Sequence, residues 1–430
     1  MAITRRHLLQ GTGAVAGAAV LSAALAPRIG PRRRAWATGR VPTIIIIIAD
    51  DMRFDFRTVL TNLGGGWIDC VNAAIETPLC GPGRAGIIRG TYSSRTGVTS
   101  NTSTANMADT DTIATRIKGA GYRTALVGKY LNEFPWKKGR TYVPPGWDVW
   151  NAAGSTGWKP GSTHTTDYVF DLAVAQVRTT PPGTPLFLYI APQAPHLPAN
   201  PPARFASAPV TLPPIPPSFN EADVSDKPPP NNTAKPLTAA QIAQVDTDRL
   251  LIGRSLLGVN ERIGSLLSAL SDTGRLAGSA IFFTSDNGYL LGEHRQFKKG
   301  VPYEEPSRIP FMVRWPGVAG RTELGVVSSI DLSATVCVLA GATPPSTDGV
   351  DLSPLFDAGT SVRDAAYIES PGSTWHAVRT KQFKYAEYTT GGRELYDLAI
   401  DPFEMVNRAT DPAYASTRAV LAAQLAALKP

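Results

Sequence analysis

Residues Thr43–Ile48 are a threonine followed by five consecutive isoleucines, a β-branched run with no polar alternation. β-branched side chains favour the pleated backbone, and a strand without a polar face has to be covered on both sides. The run therefore predicts a strand central in a parallel-type sheet. Four more segments read as strands: Tyr122–Val127, Leu186–Ile190, Ala280–Thr284 and Pro310–Val313. Helical stretches alternate with them. Asp109-Thr110-Asp111 is expected to cap a helix with Ile113 and Ile117 on one face, stopped by Gly119 and Gly121. Asp167–Val177 reads as a second helix. From Thr238 to Leu270, the spacing of Ile242, Val245, Leu250, Leu257, Ile263, Leu267 and Leu270 is helical. Strand, helix, strand, helix in this order predicts an α/β fold with a large, mostly parallel central sheet sandwiched by helices. The proline-rich stretch Pro195–Pro236 reads as a long surface loop, and no internal repeat is visible.

Polar residues fall where such a sheet binds ligands, outside the carboxyl ends of its strands. Asp50-Asp51 follow the first strand, Lys129 the second, His196 the third and Asp286-Asn287 the fourth. An Asp at a strand end is commonly a helix cap, but four coincident ends argue for one convergent site. Asp50, Asp51, Asp286 and Asn287 are all oxygen donors, which suits a hard cation such as Ca2+ or Mg2+. Zinc is disfavoured: beyond the first forty residues only His164, His196, His294 and His376 remain, with no HxxxH spacing.

The net charge of +7 is matched by the seven arginines of the first forty residues, so the rest of the 430-residue chain is near neutral. Nothing in the charge points to nucleic acid or a membrane surface as partner. Residues 1–37 read as a twin-arginine signal peptide. Thr4-Arg5-Arg6-His7-Leu8-Leu9 is the start, the apolar stretch runs from Gly11 to Ala26, and Ala35-Trp36-Ala37 is the A-x-A cleavage candidate. Ala24-Leu25-Ala26 is a second candidate, with Pro27 directly behind it. The stretch is short and glycine-rich for a membrane span, although an uncleaved anchor is the competing reading. The expectation is a protein exported folded by the twin-arginine machinery to the periplasm, cell wall or medium, with no stable span in the mature chain.

The densest motif is Cys80-Gly81-Pro82-Gly83-Arg84, running into Ala85-Gly86-Ile87-Ile88-Arg89-Gly90. On its own it serves equally as a glycine-rich turn with an incidental thiol or as a helix start whose free N–H groups face an anion. It resembles the C-x-P-x-R core of the type I sulfatases. The fuller family signature has serine at the position of Gly83 and Leu-Thr-Gly at Ile88-Arg89-Gly90. Further pieces are similar to N-acetylglucosamine-6-sulfatase-like members: Gly128-Lys129-Tyr130-Leu131-Asn132-Glu133, Pro144-Pro145-Gly146-Trp147-Asp148, Ser285-Asp286-Asn287-Gly288, Gly292-Glu293-His294-Arg295, Lys299-Gly300-Val301-Pro302-Tyr303-Glu304-Glu305 and Glu394-Leu395-Tyr396-Asp397-Leu398. The resemblance spans about residues 42 to 408.

The resemblance implies an alkaline-phosphatase-like fold and hydrolysis of sulfate monoesters, with a sulfated small molecule or glycan such as N-acetylglucosamine 6-sulfate as substrate. It implies that Cys80 is converted to formylglycine by a formylglycine-generating enzyme, and that Asp50, Asp51, modified Cys80, Asp286 and Asn287 hold the metal, calcium ahead of magnesium. Arg84 would hold the nucleophile, and Lys129 and Lys299 the sulfate oxygens. His196 would be the acid for the leaving oxygen, because imidazole donates near neutral pH. His294 would serve as a further catalytic or substrate contact. Two other readings stand beside this one: a formylglycine-dependent phosphonate monoesterase or phosphodiesterase, and an inactive carbohydrate-binding relative.

With Cys80 converted, Cys70 and Cys337 remain; both are expected buried and unpaired. The catalytic α/β domain is placed at 38–363 and a C-terminal α+β subdomain at 364–430. That subdomain is read as short antiparallel strands at Tyr367–Glu369, His376–Arg379 and Phe383–Ala386, closed by a helix from Tyr414 to Leu428. It is expected either to wall the crevice, with Trp375 and His376 as a sugar-stacking pair, or to act as scaffold.

Overall fold

The computed structural model describes residues 43–134, 139, 141–153 and 163–430; the signal peptide expected at 1–37 lies outside them. In chain order the strands of the main sheet are β1 (Thr43–Ala49), β2 (Ile68–Ala74), β3 (Arg123–Lys129), β4 (Val149–Ala153), β5 (Leu186–Ala191) and β6 (Ser279–Ser285). After a small ladder of β7 (Leu290–Leu291) with β8 (Phe297–Lys298) come β9 (Phe311–Arg314) and β10 (Arg321–Ser328). Their spatial order is β10-β2-β9-β6-β1-β5-β3-β4. The isoleucine run lies where its composition demands. β1 pairs in parallel with β5 and β6, Ile46 standing opposite Tyr189 on one side and Phe282 on the other. Its alternate side chains feed two cores, Ile44, Ile46 and Ile48 one face and Ile45 and Ile47 the other. The sheet is mostly parallel as expected, with β9 antiparallel to both β2 and β6.

Helices cover both faces. On the first lie α1 (Cys80–Arg89), the short α2 (Ser93–Thr96) and α3 (Ile113–Gly119). On the second, α4 (Thr165–Thr179) and α5 (Ala239–Asp272) bury Val169, Phe170, Val177, Ile252, Leu256 and Ile263 against β1, β5 and β6. α6 (Glu304–Ser307), α7 (Asp331–Leu339) and α8 (Ser353–Ala358) follow, α7 and α8 contributing Leu332, Val336, Leu355 and Phe356 to the first core. The cap of α3 differs from expectation. Thr112, not Asp109–Asp111, accepts the Thr115 N–H, and the Thr115 hydroxyl returns the favour to the Thr112 N–H. Asp111 is drawn off instead by Arg116, at 2.7 Å. β2, β4 and β10 carry no strong strand pattern; β10, at the sheet edge, leaves Thr322 and Leu324 exposed.

The C-terminal part forms an antiparallel sheet of β11 (Ala365–Glu369), β12 (Trp375–Thr380), β13 (Phe383–Tyr388) and β14 (Arg393–Asp397), followed by α9 (Ala415–Leu428). β14 falls in a segment noted above only as a family motif. This sheet does not keep its core to itself: Ala366, Ile368, Trp375 and Ala377 pack with Ala74 of β2 and Val326 of β10. All three cysteines are buried and free, as expected for Cys70 and Cys337.

Candidate active site

The strand ends do converge. Asp51, the second residue after β1, lies in the left-handed region, φ 61°. That uncommon conformation is held from outside: its N–H donates to Asp286 Oδ1 at 3.0 Å, and the next N–H, of Met52, to Ser285 Oγ at 2.9 Å. The turns after β1 and β6 thus fix each other. Lys129 is the last residue of β3, and Cys80 is the first residue of α1. The α1 N-terminus gets no cap from Leu79; Asn101 Oδ1 accepts the Gly81 N–H at 2.8 Å. Asn101 is a site-building residue that the sequence did not single out, because a lone loop asparagine carries no signal. Gly83 explains its departure from the family signature. A Cβ there would lie 2.5 Å from the carbonyl oxygen of Asp286, so α1 approaches the metal-side loop closely enough to exclude a side chain.

One turn into α1, the fully buried Arg84 donates from Nε to Asp286 Oδ2 at 2.7 Å and from Nη1 to the Lys129 carbonyl at 3.1 Å. Lys129 Nζ reaches both oxygens of Asp50, at 2.9 and 2.7 Å. Lys299 Nζ contacts Asp51 Oδ1 and lies 2.8 Å from Cys80 Sγ. Cys80, 2% exposed, has its sulfur 3.3 Å from Asp51 Oδ1 and 3.5 Å from Asp50 Oδ1. His196 Nε2 stands 3.5 Å from Asp51 Oδ2, and its side chain is 35% exposed, the wet side of an otherwise dry cluster. Charge dictates the protonation states. Burial opposes ionisation of Asp50, but Lys129 and then Arg84 hold its carboxyl down at about 2. Burial, then Asp286 and Asp51, push the Cys80 thiol well above its ordinary range, so an unmodified Cys80 is no thiolate nucleophile.

The oxygen donors fit a hard cation. Asp51 Oδ2 and Asn287 Oδ1 are buried without a hydrogen-bond partner, an expensive state unless something positive accepts them. Asn287 meanwhile donates from Nδ2 to Asp51 Oδ1 at 2.7 Å. Asp50, Asp51, Cys80 and His196 each offer a ligand atom within 4.8 Å of the others. Asp286 joins this group through its bonds to Asp51 N–H and Arg84.

His294 does not join it. It is buried elsewhere, Nδ1 2.7 Å from Glu221 Oε2 and the ring stacked on Tyr303 at 4.1 Å, beside Glu305 and Glu404. The sugar-stacking pair is also corrected. Trp375 is 3% exposed and donates its indole N–H to the Gly300 carbonyl at 2.9 Å, while His376 Nδ1 is bonded to the Tyr367 hydroxyl at 2.7 Å. The strand expected at His376–Arg379 begins one residue earlier, at Trp375, whose partner decides its role.

Comparison with known proteins agrees with this geometry. The sulfatase family model matches residues 42–342, and a model described as N-sulphoglucosamine sulphohydrolase, C-terminal, matches 292–430. Human N-acetylglucosamine-6-sulfatase is 27% identical over 77% of this chain and 68% of its own length. The N-acetylglucosamine-6-O-sulfatase of Bacteroides thetaiotaomicron is 27% identical over 78% of this chain and 75% of its own. An extracellular sulfatase homologue of Drosophila melanogaster is 29% identical, and there the match spans about a third of the relative's length, 34%. Among solved structures, one in complex with its substrate D-glucosamine-2-N,6-O-disulfate superposes over 90% of this chain with TM-score 0.74 and 23% identity. The phosphonate monoester hydrolase of Agrobacterium radiobacter gives TM-score 0.71 and 20% identity over 90% of this chain.

The family match over residues 42–342, more than half of the chain, places it by class among the sulfuric ester hydrolases. More narrowly, the chain belongs to the sulfatase family and resembles its N-acetylglucosamine-6-sulfatase members. Among the described residues, no helix is long and apolar enough to cross a membrane.

Proposed function

We propose that the protein is an exported sulfatase that removes the sulfate monoester of a sulfated sugar, N-acetylglucosamine 6-sulfate in particular. The observation that carries this reading is the place of Cys80 at the start of α1, with its sulfur facing Asp50, Asp51 and Lys299 together. In this reading Sγ marks where the oxygens of a formylglycine hydrate would sit, and that hydrate supplies a hydroxyl able to attack sulfur. A calcium ion held by Asp50, Asp51, Asp286 and Asn287 would supply charge to acidify that hydroxyl and to offset the sulfate.

The chain's own residues provide the rest. Lys299 and Lys129 bind the sulfate oxygens, and their ammonium groups oppose the charge that moves onto the leaving oxygen in the transition state. Arg84 clamps Asp286 and the Lys129 backbone, so both charged arms are held at fixed separation. His196, the exposed member, holds a proton at Nε2 for the departing sugar oxygen. The second hydroxyl of the hydrate can then give up its proton and expel sulfate, which restores the aldehyde. The leader at 1–37, together with the extracellular naming of a relative, supports export by the twin-arginine machinery after maturation by a formylglycine-generating enzyme. Residues 364–430 are taken as a C-terminal subdomain of the 38–363 catalytic domain.

A formylglycine-dependent phosphonate monoesterase is the second reading, favoured by the fold match to such an enzyme. Rates on 4-nitrophenyl sulfate, 4-nitrophenyl phenylphosphonate and N-acetylglucosamine 6-sulfate, with the mass of the Cys80 peptide from the same preparation, decide between them. Faster turnover of the sulfates and a peptide carrying the aldehyde are expected. Faster turnover of the phosphonate, or an active enzyme whose Cys80 is only thiol, would overturn the proposal.

A further inference from the structure

Lys299 directly follows the two-residue ladder of β7 with β8. β8, which leads into it, has both residues exposed, and Lys298 and Gly300 on either side are both left-handed, φ 77° and 91°. Yet the Lys299 ammonium meets Asp51 and Cys80, where displacements of a fraction of an ångström matter. What holds the following residues comes from the C-terminal sheet. The Trp375 indole N–H donates to the Gly300 carbonyl at 2.9 Å, one residue beyond the lysine. Further along, the Tyr303 hydroxyl donates to Glu394 at 2.9 Å. The Glu304 N–H donates to Glu404 at 2.6 Å, and the Glu304 carboxylate is forked by Arg379 at 2.9 Å on each oxygen. Those bonds anchor α6. Before Lys299, Lys298 is paired with Leu290 of β7; after it, the bond from Trp375 falls on the next peptide.

We infer that Trp375 is a positioning residue: its bond to Gly300 fixes the Lys299 ammonium over the reacting centre, and through it the C-terminal sheet is part of the catalytic apparatus. The inference rests on the sulfatase reading for its kinetic consequence and on geometry alone for its structural one. It replaces contact with sugar by control of a charged arm. Gly300 allows this because a left-handed residue is needed there, φ 91°.

Trp375→Phe keeps an aromatic ring among Ala366, Ile368 and Ala377 and removes the indole N–H together with part of the ring volume. Steady-state rates on 4-nitrophenyl sulfate are compared for the wild type, W375F, Lys299→Ala and the double variant. W375F is expected to lower kcat by about tenfold, the worth of one buried hydrogen bond, with KM changed by less than about twofold. In the Lys299→Ala background the same change should cost less than about twofold, because the group it positions is gone. Equal losses in both backgrounds, or a change confined to KM, would overturn the assignment. Hydrogen exchange on the resting protein provides the independent measure. Amides 299–303 should exchange at least about fivefold faster in W375F while those of β1 stay unchanged. Unchanged exchange at 299–303 refutes the brace whatever the activity. A wild type inert on every sulfate ester refutes the sulfatase reading and leaves the exchange experiment to decide the brace.

Discussion

Asp286 shows how few atoms tie this site together. One of its oxygens holds the strained Asp51 backbone and the other holds Arg84, so a single carboxylate joins the turns after β1 and β6 to the first turn of α1. Asp286→Ala is expected to reduce turnover by about three orders of magnitude and to destabilise the fold by about 3–5 kcal/mol, because Arg84 keeps its charge in a fully dry place without its partner. Steady-state kinetics and thermal unfolding of the purified variant check both; wild-type turnover in a folded variant would remove Asp286 from the site. Much at this scale was legible. Asp50, Asp51, Lys129, His196 and Asp286 were found because each follows an apolar run, and the sheet then does the gathering. His294 came from the family resemblance alone; the left-handed backbone at His294 and Arg295 turns it towards Glu221. Asn101 left no mark in the sequence, since its role depends on what stands opposite it.

At the scale of elements, α1 is set by contact rather than by propensity. It holds glycine at positions 81, 83 and 86, which weakens a helix, and the return is close approach to the Asp286 loop. Gly83→Ser restores the family's usual residue and should nevertheless destabilise by roughly 1–3 kcal/mol and slow turnover, because the new Cβ meets a backbone oxygen that has no rotamer to yield. A thermal midpoint equal to wild type would show that α1 is free to shift. A second prediction concerns the buried acids between β7–β8 and the C-terminal sheet. Burial, then Glu293 and Glu404, push Glu305 up to about 8, and burial lifts Glu404 to about 7 although Lys384 pulls it down. Both take 4.5 as their ordinary value. Between 4.5 and 8 the folded chain therefore keeps protons that the unfolded chain has released, so these groups lower stability as pH rises through that window. Glu305→Gln, a permanently neutral copy, should lose less thermal stability between about pH 5.5 and 8 than the wild type does. An identical loss in both proteins would place the proton elsewhere.

For the molecule as a whole, the sheet order could not be read from the chain. The sequence names central strands by their unbroken apolar runs, but β2 and β10 mix small and polar residues because they lie near the edge, where the C-terminal sheet covers them. That cover is also why 364–430 reads as a separate unit in sequence and does not act as one in space. A chain ended at Arg363 exposes Ala74 and Val326 and leaves Glu304 without Arg379 and Lys384. Such a truncation is expected to be insoluble or to unfold without a cooperative transition in calorimetry; a soluble fragment with a sharp transition would make the two parts independent. The burial of Cys80 has a further consequence, one of timing. The partners that enclose its sulfur come from Asp50 and Asp51 on one side and, 219 residues later, from Lys299 on the other. In the reading proposed above, conversion of Cys80 would therefore have to come before the later half of the chain has folded over it. Were the chain exported folded, as proposed above, conversion would have to precede export.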